Sequence, residues 1–311
     1  MLLMVRSLTH ESTGVLSLQL VDPDGHDLPA WEPGAHLDLH LPGGLSRQYS
    51  LSGDPADHTC YRLGVLREES GRGGSAYVHD TLRPAQLVEV TGPRNHFRLE
   101  PAASYVFVAG GIGITPILPM LAEAQAVGAD WSLLYGGRTA ASMAFTTELA
   151  GYGERVTLWP QDTHGLLDLD GLLATPRAGT LVYACGPEPL LAAVEQRTAA
   201  WPAGSLHLER FAAPVVERDL AADDVVEVVL AESGRTVLVP ADRSILGVLL
   251  EEGVDVLHDC QEGICGSCEV KVIEGEVDHR DFVLSKHEQA ANSCMMVCVS
   301  RACGKRLVLG V

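Results

Sequence analysis

Three cysteines, Cys260, Cys265 and Cys268, lie within nine residues in the stretch HDCQEGICGSCEV, which runs from His258 to Val270. No other stretch restricts the possible folds as much. Three thiols at C-x4-C-x2-C spacing require a short loop wrapped around a soft centre, because thiolates are ligands for zinc or for iron–sulfur clusters. Zinc sites pair close cysteines as C-x2-4-C with a second, similar pair. Here the spacing is four and then two, with no second pair. The N-terminal MLLMVRSLTHES has no long apolar core followed by a small-residue cleavage site. No window approaches the roughly 18 apolar residues of a membrane span. A cytoplasmic chain is therefore expected, where thiols stay reduced. Its eight cysteines then read as metal ligands or buried residues rather than disulfides.

C-x4-C-x2-C followed by a distant cysteine is a [2Fe–2S] spacing. Gly263 and Gly266 let the backbone come close enough to aim N–H groups at the bridging sulfides. A fourth ligand is required, with Cys294, Cys298 and Cys303 as candidates. The C-terminal stretch resembles a plant-type ferredoxin domain, which implies a β-grasp fold and a last cysteine about thirty residues after the third. Cys298 stands thirty after Cys268, so it is the expected ligand and Cys294 the second choice. Cys303 reads as a buried or half-exposed thiol. Nicotinamide donors deliver hydride, two electrons at once, whereas such a cluster carries one. A flavin makes that conversion, so the rest of the chain is expected to hold a flavin site and a nicotinamide site.

The 311 residues predict two or three domains. Residues 1–101 carry alternating strand patterns in VLSLQL (15–20), HLDLHL (36–41) and YRLGVL (61–66), punctuated by turns such as Pro42-Gly43-Gly44. Short strands at this spacing predict a small antiparallel barrel with one helix from Ser75 to about Leu82. From residue 102 the texture changes. SYVFVAG is continuously apolar, as a strand buried on both faces is, and PILPMLAEAQAVGA reads as a helix. WSLLYGG (131–137), GTLVYACGP (179–187) and PEPLLAAVEQRTAAW (187–201) repeat the plan, which predicts a parallel α/β sheet over 102–222. Residues 212–224 read as a linker. The last part, 223–311, opens with a hairpin, VVEVVL to TVLVP, then a helix over Ser244 to Glu252 that ends at Gly253. The expected fold class is thus multi-domain: an antiparallel β-barrel, a parallel α/β sheet and an α+β β-grasp.

Two elements in the barrel suit a phosphate. RQYSL (47–51) offers Arg47 as a counter-charge, Tyr49 as a flat surface and Ser50 as a hydrogen-bonding hydroxyl. In ESGRGGSAYVH (69–79), Gly73, Gly74 and Ser75 open the helix, and helix N-termini attract phosphate. Alone, RQYSL also fits an ordinary strand with an exposed arginine. In VAGGIGITPIL (108–118), Gly110, Gly111 and Gly113 allow close approach to a pyrophosphate, and Thr115 and Pro116 stand at the helix start. Pro116 is tolerated because the first turn has unpaired N–H groups. The pattern is G-x-G-x-x-P rather than the dinucleotide fingerprint, and a generic α/β turn also explains it.

Together these motifs resemble the ferredoxin–NADP⁺ reductase superfamily, and within it the phthalate dioxygenase reductase family. The order barrel, nucleotide sheet, C-terminal ferredoxin fits that branch over essentially the whole chain. The resemblance implies FMN held by Arg47, Gln48, Tyr49, Ser50, Gly73, Gly74 and Ser75, with Val65 and Leu66 lining the ring through their backbone. It implies that Cys185, Gly186 and Pro187 in YACGPEPL lie near the nicotinamide. Arg138 in YGGRT is implied near the adenosine half, and Phe211 in LERFAAP over the flavin face. Cys185 also fits a buried strand-end thiol, and Phe211 a residue packed at a domain seam. Ser50, Cys185 and Phe211 are the residues expected at the chemistry, whereas His79 and Glu209 are expected to be structural. With no Lys/Arg cluster after Tyr135 beyond Arg138, NADH is preferred to NADPH.

The resemblance further implies electron delivery to a terminal oxygenase, either a Rieske non-haem iron dioxygenase or O-demethylase acting on an aromatic acid, or a P450-type haem monooxygenase. The net charge of −19 argues against nucleic acid and anionic membranes, and a monomer is expected. A redox-sensing module built on the cluster, or a structural zinc protein, are the readings from other classes.

Overall fold

The computed structural model describes residues 1–69, 71, 73–213, 224–284 and 286–311. It divides into two compact units, Met1–Phe211 and Ala212–Val311. Most of the expected linker, residues 214–223, lies outside the described residues.

The first unit begins with β1 (Leu2–Ser12), β2 (Val15–Val21), β3 (His36–Leu41), β4 (Leu45–Ser50), β5 (Tyr61–Leu66), a helix α1 (Gly74–Asp80) and β6 (Leu87–Arg94). The sheet order is β4-β3-β6-β1-β2-β5, antiparallel throughout. A bridge between Leu51 and Leu63 brings its two edges together and closes the barrel. Alternation sends Leu18, Leu20, Leu37, Leu39, Leu63 and Val65 inward to a common core. Each such side chain contributes roughly 1.5–3 kcal/mol on burial. β1 was not foreseen, because LLMVRSLTHES buries only Leu3, Val5 and Ser12 and has no clean two-residue period. The helix α1 stops two residues short of the expected Leu82.

The chain then enters β7 (Ser104–Gly110), a single 3-10 turn at Gly111–Gly113 and α2 (Ile114–Ala126). β8 (Asp130–Gly137), α3 (Thr146–Leu149), β9 (Val156–Pro160), α4 (Gln161–His164), α5 (Leu169–Leu173), β10 (Thr180–Cys185), α6 (Glu188–Thr198) and β11 (Leu206–Glu209) complete the unit. Its sheet is parallel in the order β11-β10-β7-β8-β9. The unbroken apolar run of β7 follows from burial on both faces. Tyr105, Phe107 and Ala109 face α2, while Val106 and Val108 pack with Leu191 and Val194 on the other side. Barrel and sheet meet closely at Gly64, where an added Cβ is 2.5 Å from Thr115 Cγ2. Arg62 of β5 also pairs with Glu148 at 2.8 Å.

The second unit is the expected β-grasp. β12 (Val226–Leu230) and β13 (Thr236–Val239) form the hairpin, and α7 (Ile245–Glu251) packs Ile245, Leu246 and Leu249 into the core. After the cysteine loop come β14 (Glu269–Glu274), β15 (Val277–Asp278), α8 (Lys286–Ala291), β16 (Cys294–Met296), β17 (Arg301–Ala302) and β18 (Arg306–Leu309). The main sheet runs β13-β12-β18-β14-β16, with β15 and β17 as a separate pair. The Ser244 hydroxyl caps α7 by accepting from the Gly247 N–H at 3.0 Å.

Candidate functional site

The C-terminal ends of the parallel strands form one floor. β7 ends in Gly110, β10 in Cys185 and β11 in Glu209, with Cys185 directly opposite Glu209 in register. The two loops that leave these ends touch backbone to backbone. An added Cβ on Gly113 is 2.3 Å from the Cys185 carbonyl oxygen, and one on Gly186 is 3.0 Å from Gly110 Cα. This explains Gly110, Gly113 and Gly186, which leave no room for a side chain between the two turns, whereas Gly111 has open space and is set by its left-handed φ of 56. Gly113→Ala is expected to destabilise the protein by about 1–3 kcal/mol, the usual cost of overpacking; denaturant unfolding measures it.

Glu209, expected to be structural, joins this floor to the barrel. It is half-buried at the end of β11, and its carboxyl is hydrogen-bonded to Ser50 of the barrel and to Cys185 of the sheet. The Cys185 sulfur donates to Glu209 Oε2 at 3.9 Å. Burial raises the Glu209 pKa to about 8, and the bonds to Ser50 and Cys185 offset only part of that. Burial, with the Glu209 carboxyl beside it, also holds the Cys185 thiol well above its ordinary pKa. Three groups from distant parts of the chain thus meet where barrel and sheet join.

Around Ser50 the barrel holds the other expected residues. Arg47 lies on Gly74, where an added Cβ is 2.4 Å from Arg47 Cγ. Its Nη1 donates to the Ser46 carbonyl at 2.6 Å. Tyr49 is largely buried, which raises its pKa to about 12, with Arg47 beside it opposing the rise. The Ser75 hydroxyl accepts from the Glu68 N–H at 3.0 Å and so fixes the entry to α1. Val65 is buried, and its carbonyl meets His79 Nε2 at 2.9 Å, a structural contact as expected for that histidine. Gln48 stands opposite Asp38 in register, and its Nε2 is buried without a partner. Arg47, Gly74 and Ser75 thus share one end of the barrel, while Gln48 stands apart from them. Ser70 and Arg72 of the same loop lie outside the described residues.

On the sheet, Thr115 Oγ1 donates to the Ile112 carbonyl at 2.9 Å. Arg138 is exposed at the end of β8, and its carbonyl accepts from the Asp162 N–H at 3.1 Å. Phe211 is 44% exposed and ends the first unit.

In the second unit the cysteine loop crosses from α7 to β14 with Gly263 and Gly266 in left-handed conformations, φ 74 and 73. The loop packs onto the turn after β16, since an added Cβ on Gly263 is 2.6 Å from Val299 Cγ2. The Glu262 N–H points at Cys260 Sγ at 3.3 Å. Cys265 is lowered to about 5, chiefly by a hydrogen bond from Cys260, and Cys268 is lowered chiefly by one from Cys298. The structure therefore brings Cys260, Cys265, Cys268 and Cys298 into one cluster of sulfurs. Both shifts run toward the thiolate, the form in which sulfur ligates a metal. Cys294 lies in β16 opposite Lys271, and its neighbours are Ser293 and the acidic residues Glu269, Glu288 and Asp281. Cys303 is exposed.

An antiparallel barrel, a nucleotide-binding parallel sheet and a cysteine-clustered β-grasp in one chain define a multi-domain electron-transfer oxidoreductase. Residues 107–196 match the oxidoreductase NAD-binding domain, and residues 228–303 the 2Fe-2S iron-sulfur cluster binding domain. The chain is 42% identical to the phenoxybenzoate dioxygenase subunit beta of Ectopseudomonas oleovorans, over 96% of this chain and 93% of the relative. Among solved structures, phthalate dioxygenase reductase superposes with a TM-score of 0.72 at 36% identity, covering 100% of this chain and 98% of that one. An intact type IV self-sufficient cytochrome P450 monooxygenase superposes with a TM-score of 0.95 at 46% identity, covering 100% of this chain but only 41% of that one. The chain belongs to the phthalate dioxygenase reductase-like family, and it is an NAD-dependent oxidoreductase with a [2Fe–2S] domain. Among the described residues, no helix is long and apolar enough to cross a membrane.

Proposed function

We propose that this chain takes hydride from NADH and delivers single electrons to a separate terminal oxygenase, with FMN and a [2Fe–2S] cluster as its resident groups. The observation that carries this reading is the buried junction of Ser50, Glu209 and Cys185, where barrel and nucleotide sheet meet. Bound FMN converts a hydride into single electrons, and the cluster relays them one at a time. Arg47 and the Gly74–Ser75 turn hold the FMN phosphate, and Tyr49 and Ser50 orient the ring. The glycine floor of Gly110, Gly113 and Gly186 admits the nicotinamide end of NADH, with Cys185 beneath it and Phe211 at its edge. Positioning is the main catalytic contribution of these residues. Glu209, whose pKa is raised to about 8, opposes an arriving hydride less than an ordinary carboxylate would. Cys260, Cys265, Cys268 and Cys298 ligate the cluster.

The oxygenase is of the Rieske type in this reading, in line with the dioxygenase named in the similar subunit. The likeness to the self-sufficient P450 chain supports a second reading, a haem monooxygenase as acceptor. Nothing in the described sites reads an aromatic substrate, so the choice of substrate belongs to the partner. The net charge of −19 favours a partner whose docking face is basic.

An anaerobic visible spectrum before and after one equivalent of NADH tests the reading, with NADPH in parallel. Flavin and iron–sulfur bands are both expected to bleach with NADH, and far more slowly with NADPH. A flavin that bleaches beside an unchanged iron–sulfur band contradicts the electron path. Equal rates with NADPH contradict the choice of donor.

A further inference from the structure

Glu209 and Arg210 are neighbours in sequence but point to opposite sides. Glu209 turns to Ser50 and Cys185. Arg210 turns to α6, where its Nε donates to Glu188 Oε2 and its Nη2 to Glu195 Oε2, each at 3.0 Å. The Arg210 side chain is only 10% exposed, whereas its two partners are 39% and 47% exposed. Glu188 is the first residue of α6, directly after the Cys185-Gly186-Pro187 turn. Arg210 therefore ties the end of β11 to the helix that carries the other half of the nicotinamide floor. The tie falls one residue before the first unit ends at Phe211.

Extended chain alternates its side chains, and a one-residue slip exchanges the two faces. A slip at this strand end would bring a guanidinium toward Ser50 and turn the Glu209 carboxyl away. A largely desolvated arginine paired to the carboxylates of α6 opposes that slip, since moving it away from them loses pairing that offsets its desolvation. We infer that Arg210 is a positioning residue for hydride transfer: its double ion pair with Glu188 and Glu195 locks the strand end that presents Glu209 and Phe211. The inference rests on the reading of the Ser50–Glu209–Cys185 junction as the hydride-transfer site.

The test uses the full-length protein carrying FMN and the cluster, mixed anaerobically with NADH over a range of concentrations. The variants are Arg210→Met, Arg210→Lys and the double variant Glu188→Gln with Glu195→Gln. The glutamines replace half-exposed side chains, so that variant tests the clamp even where Arg210→Met folds poorly. Arg210→Met and the double variant are expected to lower the limiting rate of flavin bleaching by about 10-fold to 100-fold, the scale of a misplaced reacting group. The NADH concentration at half-maximal rate is expected to change far less. Arg210→Lys, which keeps the charge but not the fork, falls between wild type and Arg210→Met. Hydrogen exchange provides a readout independent of activity: backbone amides of residues 206–211 exchange faster in Arg210→Met and in the double variant, and the barrel amides do not.

A wild-type limiting rate in both Arg210→Met and the double variant overturns the clamp, as does unchanged exchange over 206–211. Ser50→Ala and Phe211→Ala separate this failure from failure of the site itself. If those two slow bleaching while the clamp variants do not, only the clamp is wrong. If none of the substitutions affects bleaching, the site reading falls with it.

Discussion

Cys298→Ser is expected to abolish the iron–sulfur absorption, while Cys294→Ser leaves it intact. The two cysteines stand only four residues apart, and spacing alone does not decide between them. Cys298 is buried in the turn after β16, hydrogen-bonded to Cys268 and close to Cys260. Cys294 is within the strand, half-buried, among Ser293 and carboxylates. A thiolate held among carboxylates is disfavoured, whereas a thiol among other cysteines is where soft ligands converge. Losing one of four thiolates removes a ligand that a serine hydroxyl, a harder and less acidic donor, replaces poorly. Iron and acid-labile sulfide content, with the visible spectrum, measures the outcome. NADH is expected still to bleach the flavin in Cys298→Ser, because hydride transfer uses residues of the first unit. A Cys294→Ser protein without iron, beside a normal Cys298→Ser protein, would reverse the ligand assignment.

The second unit was the most legible part of the sequence, because its chemistry is local. Three of the clustered sulfurs come from nine consecutive residues, and the glycines between them are required by φ values that other residues rarely adopt. The parallel sheet was legible for a different reason: burial on both faces leaves continuous apolar runs such as SYVFVAG. The barrel was read only in part. β1 meets the core at few positions, and β4 carries LSRQYS, of which only Ser50 is buried. Glu209 was expected to be structural, but its contact with Ser50, 159 residues away in sequence, was not legible, because no pattern within LERFAAP announces such a partner. Arg210 was passed over for the same reason. Its partners lie on α6, and a strand-end arginine next to a phenylalanine reads as ordinary surface until the helix is in place.

Glu209→Gln is expected to remove one proton's share of the pH dependence of stability between about pH 5 and 8, and to make flavin reduction insensitive to pH between about 7 and 9. In the wild type the folded-state pKa is about 8, raised from 4.5 by burial. Between those two values the unfolded chain has released the proton and the folded chain still holds it. The folded state then binds more protons, so stability falls as pH rises through that window, by about 1.4 kcal/mol per pH unit. Above pH 8 the folded protein releases the proton as well and the slope vanishes, leaving a carboxylate buried at the junction with only Ser50 and Cys185 as partners. That charge faces the place where hydride arrives, so the limiting rate of bleaching by NADH is expected to fall as pH rises through about 8. Glutamine has nearly the shape of the protonated acid and cannot ionise. Glu209→Gln should therefore retain the low-pH rate at pH 9, and the loss of stability between pH 5 and 8 should shrink by that one-proton slope. Denaturant unfolding at several pH values and rapid mixing with NADH across the same range read the two effects separately. A wild-type bleaching rate with no inflection between pH 7 and 9 means that Glu209 does not face the transferred charge, and its burial between Ser50 and Cys185 is then a packing feature alone.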